Sequence, residues 1–413
     1  MHPRYLRPVL TGATLLLLFI MTALPAGATA RQDQHPQSRP SSLMAFPHQT
    51  IKHIAVSRQQ GQIDLKGTNF LYVEDGTCTD AIDVYKIGNP LTFVGNFPND
   101  GCRSFAYYGT QSIAIAEPNH THGPCLVYGD QNGFVDSFPI DPSTGALGSE
   151  ASHISSAAPA DVHIAENGRI AYVSSPGIDL ESYSLGAGCV LTSLVTVPTS
   201  ELYISFALAS STRLVTTDQN TGTIDTWKLS TNGGMSIVRS VASQIAQPDA
   251  IAIQSIYTRS GLVTNVFTGQ ATFNPPQAQG GQYTMSSGAL KFLHGSPAVD
   301  PNPAASDGAA ITFDSTHNLL IQGEQVSGML GVYSVTTGKP GKPGSMAFMK
   351  ETPLAVGGES PTAFVQRGST LFVDGLYNGD IEACSLKTSG VTACTTVAVL
   401  TYATGSSQGI AIL

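Results

Sequence analysis

Three aspartates, a glutamine and a histidine stand at the start of short apolar runs. They are Asp161 and His163, flanking Val162 and leading to Ile164; Asp249 before Ala250-Ile251-Ala252-Ile253; Asp307 before Ile311-Thr312-Phe313; and Gln408 before Gly409-Ile410-Ala411-Ile412. Carboxylates gathered around one imidazole can activate water for attack on a carbonyl carbon. His163 would be the general base and Asp161 and Asp249 its helpers, with Asp307 and Gln408 binding the ligand. The same oxygens suit Ca²⁺ or another divalent ion. An aspartate just before a strand also makes side-chain to backbone turn bonds that serve the fold alone. These residues are far apart in the chain, so a joint role needs a fold that makes their strands converge.

Other chemical motifs carry less. Gly405-Ser406-Ser407-Gln408-Gly409 fits G-x-S-x-G, but a nucleophile elbow needs a helix after the serine, and here a strand-like run ends the sequence. His120-Thr121-His122 offers alternate imidazoles without other ligands at useful spacing. No phosphate loop or dinucleotide fingerprint appears.

The element that must position these residues is a repeat. An aliphatic residue, two of any kind, an aromatic, one of any kind and another aliphatic recur as Ile82-x-x-Tyr85-x-Ile87, Val135-x-x-Phe138-x-Ile140, Leu180-x-x-Tyr183-x-Leu185 and Ile224-x-x-Trp227-x-Leu229. The phrase continues as Tyr283-x-Met285, Leu330-x-x-Tyr333-x-Val335 and Ile381-x-x-Cys384-x-Leu386. Seven anchors from 85 to 384 give a period of about 50 residues, the range of propellers. A β-rich run precedes each phrase, from Leu71-Tyr72-Val73 to Leu371-Phe372-Val373, and an earlier one, such as Ile113-Ala114-Ile115, is visible in several repeats. With the apolar residue after the following turn, as in Thr144-Gly145-Ala146-Leu147, each repeat supplies the four strands of one blade. The expected fold is all-β, a seven-bladed propeller over residues 51–413. Its phrase aromatics pack between blades, Trp227 among them. Glu166-Asn167-Gly168-Arg169 reads as a tight hairpin with positive φ at Asn-Gly. The fifth repeat holds about eight extra residues, including Asn274-Pro275-Pro276, which map to a surface loop. Ring closure has two candidates: Gly409-Ile410-Ala411-Ile412 at the C-terminus and Lys52-His53-Ile54-Ala55-Val56 near the start.

Residues 1–30 read as a signal peptide: Arg4 and Arg7, an apolar core from Thr14 to Leu24, and small-x-small sites at Ala26-Gly27-Ala28 and Ala28-Thr29-Ala30. Residues 31–50 read as a flexible leader, and a secreted or periplasmic protein is expected. The formal charge of −9 becomes −11 once Arg4 and Arg7 leave, which repels phosphate backbones and makes nucleic acid an unsuitable partner. No membrane association is expected after cleavage, and a monomer is expected. Charged residues are only 12 % of the chain, which suits short strands and turns better than helical bundles. Cys78, Cys102, Cys125, Cys189, Cys384 and Cys394 are even in number, and disulfides are the natural reading for an exported chain. Cys384 and Cys394 flank a turn at Gly390, Cys78 and Cys102 are near in sequence, and Cys125 and Cys189 remain; six cysteines allow 15 pairings.

The block Val135-Asp136-Ser137-Phe138 followed by Asp141-Pro142-Ser143-Thr144-Gly145-Ala146-Leu147 resembles the lactonase family of seven-bladed propellers, whose blades repeat Y-x-I-D-P-x-T-G-x-L. Ser287-Gly288-Ala289-Leu290 with Gly295-Ser296-Pro297, and Asn167-Gly168-Arg169-x-x-Tyr172-Val173, are similar to the same 6-phosphogluconolactonase-like, YVTN-type repeats, a WD40-like blade arrangement. The resemblance covers nearly all of the chain after residue 50. It implies opening of a sugar-type lactone by polar groups in the central channel. Of the family's inner-strand start only His163 matches; Asp161-Val162 stands where Pro is usual, and Gln247-Pro248-Asp249-Ala250 lacks the Arg-His pair. YVTN-type propellers without catalysis share the phrase. A non-catalytic propeller binding a small molecule, glycan or protein at the channel mouth is therefore the alternative.

Overall fold

A computed structural model describes residues 70–75, 81–98, 111–117, 122–130, 133–245, 247–258, 261–270, 279–286, 288–293, 297–302, 308–324, 327–336, 344–356, 360–375, 379–401 and 409–413. The described chain forms seven antiparallel sheets, six of four strands and one of five. Their inner strands are Ile410–Ile412, Ile113–Ala116, Asp161–Ile164, Tyr203–Ser210, Pro248–Thr258, Gly308–Asp314 and Pro361–Arg367, in blades 1 to 7. Each inner strand touches the next, and that of blade 7 touches that of blade 1, so the strands surround one axis. Among the described residues the one helical segment is the short 3-10 turn Ala187–Cys189, and no helix is long and apolar enough to cross a membrane.

Blade 1 takes its inner strand from the C-terminus: Ile412, Ala411 and Ile410 pair with Leu71, Tyr72 and Val73. The competing segment at 52–56 lies outside the described residues, as do the signal and leader segments expected at 1–50 and the Pro-rich loop at 274–276.

Seven apolar clusters form the core, one in each interface between adjacent blades. The phrase aromatics explain this. Tyr85 packs with Phe372 of blade 7, Phe138 with Tyr72 of blade 1, and Trp227 with Tyr172 of blade 3. A strand alternates sides, so the aromatic reaches back to the preceding blade while its neighbours face the other way. Blade 7 carries Cys384 there, bonded to Cys394 directly across the ladder. A second disulfide, Cys125–Cys189, ties blade 2 to blade 3. Cys78 and Cys102 lie outside the described residues. The Glu166–Arg169 turn departs from the sequence reading. Positive φ occurs at Gly168 (66°) and not at Asn167, whose Oδ1 accepts the N–H of Arg169 instead. The loop is one of four residues, closed by Ala165 and Ile170, and not a two-residue hairpin.

Candidate active site at the acidic end of the ring

Asp161 opens the inner strand of blade 3 and is buried. Its Oδ1 accepts the backbone N–H of Gln111, which leads into blade 2, at 2.9 Å. Its Oδ2 accepts the N–H of Phe206, in the inner strand of blade 4, at 2.9 Å. One carboxylate thus joins three blades. The Gln111 side chain extends the belt by donating to the carbonyl of Ile410 in blade 1. The structure therefore gives Asp161 the side-chain to backbone role open to such an aspartate. It also gives it a second role. His163 lies two residues on, on the same face of the strand, and its Nε2 is 3.3 Å from Asp161 Oδ1.

The imidazole rests on Phe206, with ring centroids 4.6 Å apart, and its side chain is 30 % exposed, enough for a solute to reach it. A proton on Nε2 facing the carboxylate leaves Nδ1 as the acceptor nitrogen, and the fixed carboxylate holds the ring in that orientation. The pair is thus a buried, anchored acid orienting a half-exposed base.

Asp249 opens the inner strand of blade 5 and is buried. The inner strand of blade 4 stands between its strand and that of Asp161, and its backbone carbonyl accepts the Thr217 hydroxyl at 3.3 Å. The structure brings Asp161 and His163 into contact and places Asp249 two blades away. Asp307 and Gln408 lie outside the described residues.

Sequence reasoning missed the acids on the second strands. These strands end in a polar residue at the same end of the ring: Glu74-Asp75, Asp130, Ser175, Asp218, Gln270, Glu324 and Asp374, all buried. An acid after the second-strand run in five of the seven repeats would have revealed them. One of them, Asp218, bears on acid–base chemistry through its neighbour Glu201. Glu201, just before the inner strand of blade 4, is pushed up to about 7, first by a hydrogen bond to Asp218 and then by burial and the charges of Asp218 and Asp225. Burial opposes ionisation of Asp218, yet hydrogen bonds from Glu201, Thr221 and backbone N–H groups hold it below its ordinary value. The proton therefore resides on Glu201. At the other end of these inner strands a depression of about 310 Å³ is lined by Ile164, Glu166, Leu208, Ala209, Ser210, Ile253 and Ser255.

Among the described residues, three clusters have the ligand atoms for a metal: Asp136, Glu150 and His153; Asp300, Glu324 and Glu351; and Glu382 with Cys384 and Cys394. The third is excluded as a thiolate site, because its sulfurs are joined in a disulfide. In the first, the His153 Nδ1 is 2.9 Å from Asp136 and 3.3 Å from Glu150, so the imidazole already links the two acids.

No protein-family model matches the chain, and no curated protein matches it. Solved structures do share its fold. The periplasmic gluconolactonase of Pseudomonas aeruginosa aligns with a TM-score of 0.61 at 14 % identity, over 84 % of this chain and 99 % of that one. A putative 6-phosphogluconolactonase from Bacteroides uniformis gives 0.63 at 13 %, over 84 % and 100 %. A hypothetical selenium-binding protein from Sulfolobus tokodaii gives 0.60 at 11 %, over 84 % and 94 %.

Proposed function

We propose that this propeller hydrolyses an uncharged sugar-type lactone, with His163 as general base and Asp161 as the group that orients it. The observation that carries the proposal is the 3.3 Å contact between the anchored Asp161 carboxylate and the half-exposed His163 imidazole. In the step, a water oxygen attacks the lactone carbonyl carbon while His163 takes its proton. The bond to the ring oxygen then breaks, the proton passes to that oxygen, and a hydroxy acid leaves. The carboxylates around this end of the ring disfavour a phosphorylated substrate, and this selects the neutral lactone. The fold shared with proteins described as gluconolactonases gives further support. The two disulfides, with the signal-like residues 1–30, support an exported, secreted or periplasmic protein.

A second proposal is a binding propeller without catalysis, favoured by the use of both Asp161 oxygens as clamps on neighbouring blades. The test separates the two. Acid release from δ-gluconolactone and a panel of other aldonolactones is followed by pH-stat, against the spontaneous rate. The wild type should exceed that rate, and His163→Ala should lose about 10²–10⁴-fold, the worth of a positioned base. A wild type no faster than buffer sinks the hydrolase. Equal rates for the wild type and His163→Ala remove the histidine from the mechanism.

A further inference from the structure

Blade 6 departs from the way the other described blades receive the segment arriving from their neighbour. In five blades an acid stands two residues before the phrase aromatic or its cysteine: Asp83, Asp136, Glu181, Asp225 and Glu382. In three of these the acid receives donors from the segment arriving from the preceding blade. Asp83 accepts the N–H and hydroxyl of Thr401, each at 2.9 Å to Oδ2; Glu181 accepts the Ser156 hydroxyl; Glu382 accepts the N–H of Ala355 at 2.7 Å and of Val356 at 2.9 Å. Blade 5 has Gly281 instead, and there the arriving Gln244 donates its N–H to the Tyr283 hydroxyl at 2.9 Å.

Blade 6 has Gly331 at this position, and Glu324 of the adjacent strand fills the space: a β-carbon on Gly331 would lie 2.4 Å from Glu324 Oε1. The arriving segment follows Ala298–Val299 and presents Asp300, an acid, where the other blades receive a donor. Glu351, across the ladder from Gly331, completes a cluster whose ligand oxygens all lie within 4.8 Å of one another.

Two further polar side chains point to a ligand. Tyr333 and Gln322 are fully buried, and neither the Tyr333 hydroxyl nor either polar atom of Gln322 has a hydrogen-bond partner. Register places them on the same sheet face as the acids: Gln322 pairs with Gly331, Gly331 pairs with Glu351, and Tyr333 follows Gly331 by two residues. An unpartnered amide and hydroxyl at zero exposure are costly unless something accepts them.

The hydrogen-bond partners of the acids are few. Asp300 Oδ1 accepts the N–H of Asn302 at 2.8 Å, Glu351 Oε1 accepts Asn302 Nδ2 at 2.5 Å, and Glu324 Oε2 accepts Ser327 at 2.8 Å. Asp300 and Glu324 also lie within hydrogen-bonding reach of each other; Glu324 Oε1 and Asp300 Oδ2 receive no other donor, and among the described residues no basic side chain pairs with any of the three. One proton shared by Asp300 and Glu324 still leaves two negative charges among three acids, two of which are fully buried. A divalent cation compensates both.

We propose that Asp300, Glu324 and Glu351 hold a hard divalent cation, Ca²⁺ by the chemistry of the donors, as a bridge between blades 5 and 6. The donor set is all oxygen, with Gln322 Oε1 and the Tyr333 hydroxyl as neutral partners, which suits Ca²⁺ better than a softer metal. The site lies in the interface of blades 5 and 6, distinct from the Asp161–His163 pair in blade 3.

The test uses the full mature chain, stripped with EDTA and dialysed. Ca²⁺ is titrated by calorimetry, and Tm is read in Ca²⁺ and in EDTA. The expected result is one Ca²⁺ per chain and a Tm several degrees higher in Ca²⁺, because an ion that binds only the folded state stabilises it. Glu324→Gln should weaken binding at least tenfold and abolish the shift. Glu351→Gln, at the half-buried rim, gives the same readout if Glu324→Gln does not fold. A wild type with neither binding heat nor a Ca²⁺-dependent Tm overturns the proposal and leaves a shared proton as the occupant. Ca²⁺ binding undiminished in both variants overturns it as well, since the ion then sits elsewhere.

Discussion

Asp136 shows how a buried carboxyl next to a histidine can cost stability instead of adding it. Burial pushes it up to about 7; the charge and hydrogen bond of His153 work against the rise, and the charges of Glu150 and Asp130 add to it. Its ordinary value is 3.8. Between those two values the folded state binds more protons than the unfolded one, so stability falls as pH rises through the window. Wild-type Tm should therefore drop from pH 4.5 to pH 7.5, and Asp136→Asn should flatten part of that drop. Equal slopes for the two proteins would show that His153 compensates the buried charge in full. The residue scale is also where sequence reading was least complete. The contact of Asp161 with His163 was legible, because i and i+2 share a strand face. The clamp that Asp161 places on Gln111 and Phe206 was not, because both partners come from other blades. Glu201 and Asp218 escaped for another reason: both belong to blade 4, and their proximity depends on how the segment entering its inner strand meets the end of its second strand.

At the scale of strands and turns, the repeated phrase is a device for joining blades, and the sequence reading captured its aromatics and not its acids. Tyr85, Tyr183 and Tyr283 stand out because an apolar residue at fixed spacing signals its own burial. The acids two positions earlier look like ordinary surface residues in sequence, since their donors arrive from a preceding segment more than twenty residues away. Glu382→Ala tests this. It strips the acceptor from the N–H groups of Ala355 and Val356, and an unsatisfied buried donor costs about 1–3 kcal/mol. Tm should fall by about 2–4 °C for each kcal/mol in a domain of 150–250 residues, and somewhat less in this longer one. No fall would mean that water replaces the carboxylate and the joint is not latched there. The Asp141–Leu147 turn that suggested the family is structural in the same sense. Asp141 accepts the N–H and hydroxyl of Ser143, and Gly145 at φ 77° lies against Phe70, where a β-carbon would come within 2.2 Å of the ring. The Gly145 carbonyl accepts the Tyr72 hydroxyl at 2.9 Å, so this turn of blade 2 fastens blade 1.

Across the whole molecule, stability depends on closing the ring, because no blade buries both faces alone. The blade count was legible from seven phrases, and the C-terminal run Gly409-Ile410-Ala411-Ile412 was legible as an inner strand from its likeness to Ala250-Ile251-Ala252-Ile253. The choice between the two ends was not legible, since both segments have strand-like sequences. In the structure three residues at the C-terminus carry more than their length suggests. Ile410 belongs to the core between blades 7 and 1, and Ala411 to the core between blades 1 and 2. Gly409 carbonyl accepts the N–H of Glu74 at 2.9 Å, and Ile410 carbonyl accepts the Gln111 side chain that continues toward Asp161. Ending the chain at residue 408 would leave Leu71, Tyr72 and Val73 as an open apolar edge and cut the belt of hydrogen bonds at its first link. The truncated protein should be recovered mainly as aggregate, and any soluble fraction should melt well below the full chain. Replacing Ile410 alone by Ala keeps the backbone pairing while removing a buried side chain, at about 2–5 kcal/mol, and should lower Tm without aggregation. A soluble truncation with the Tm of the full chain would mean that the ring is stable without its C-terminal strand.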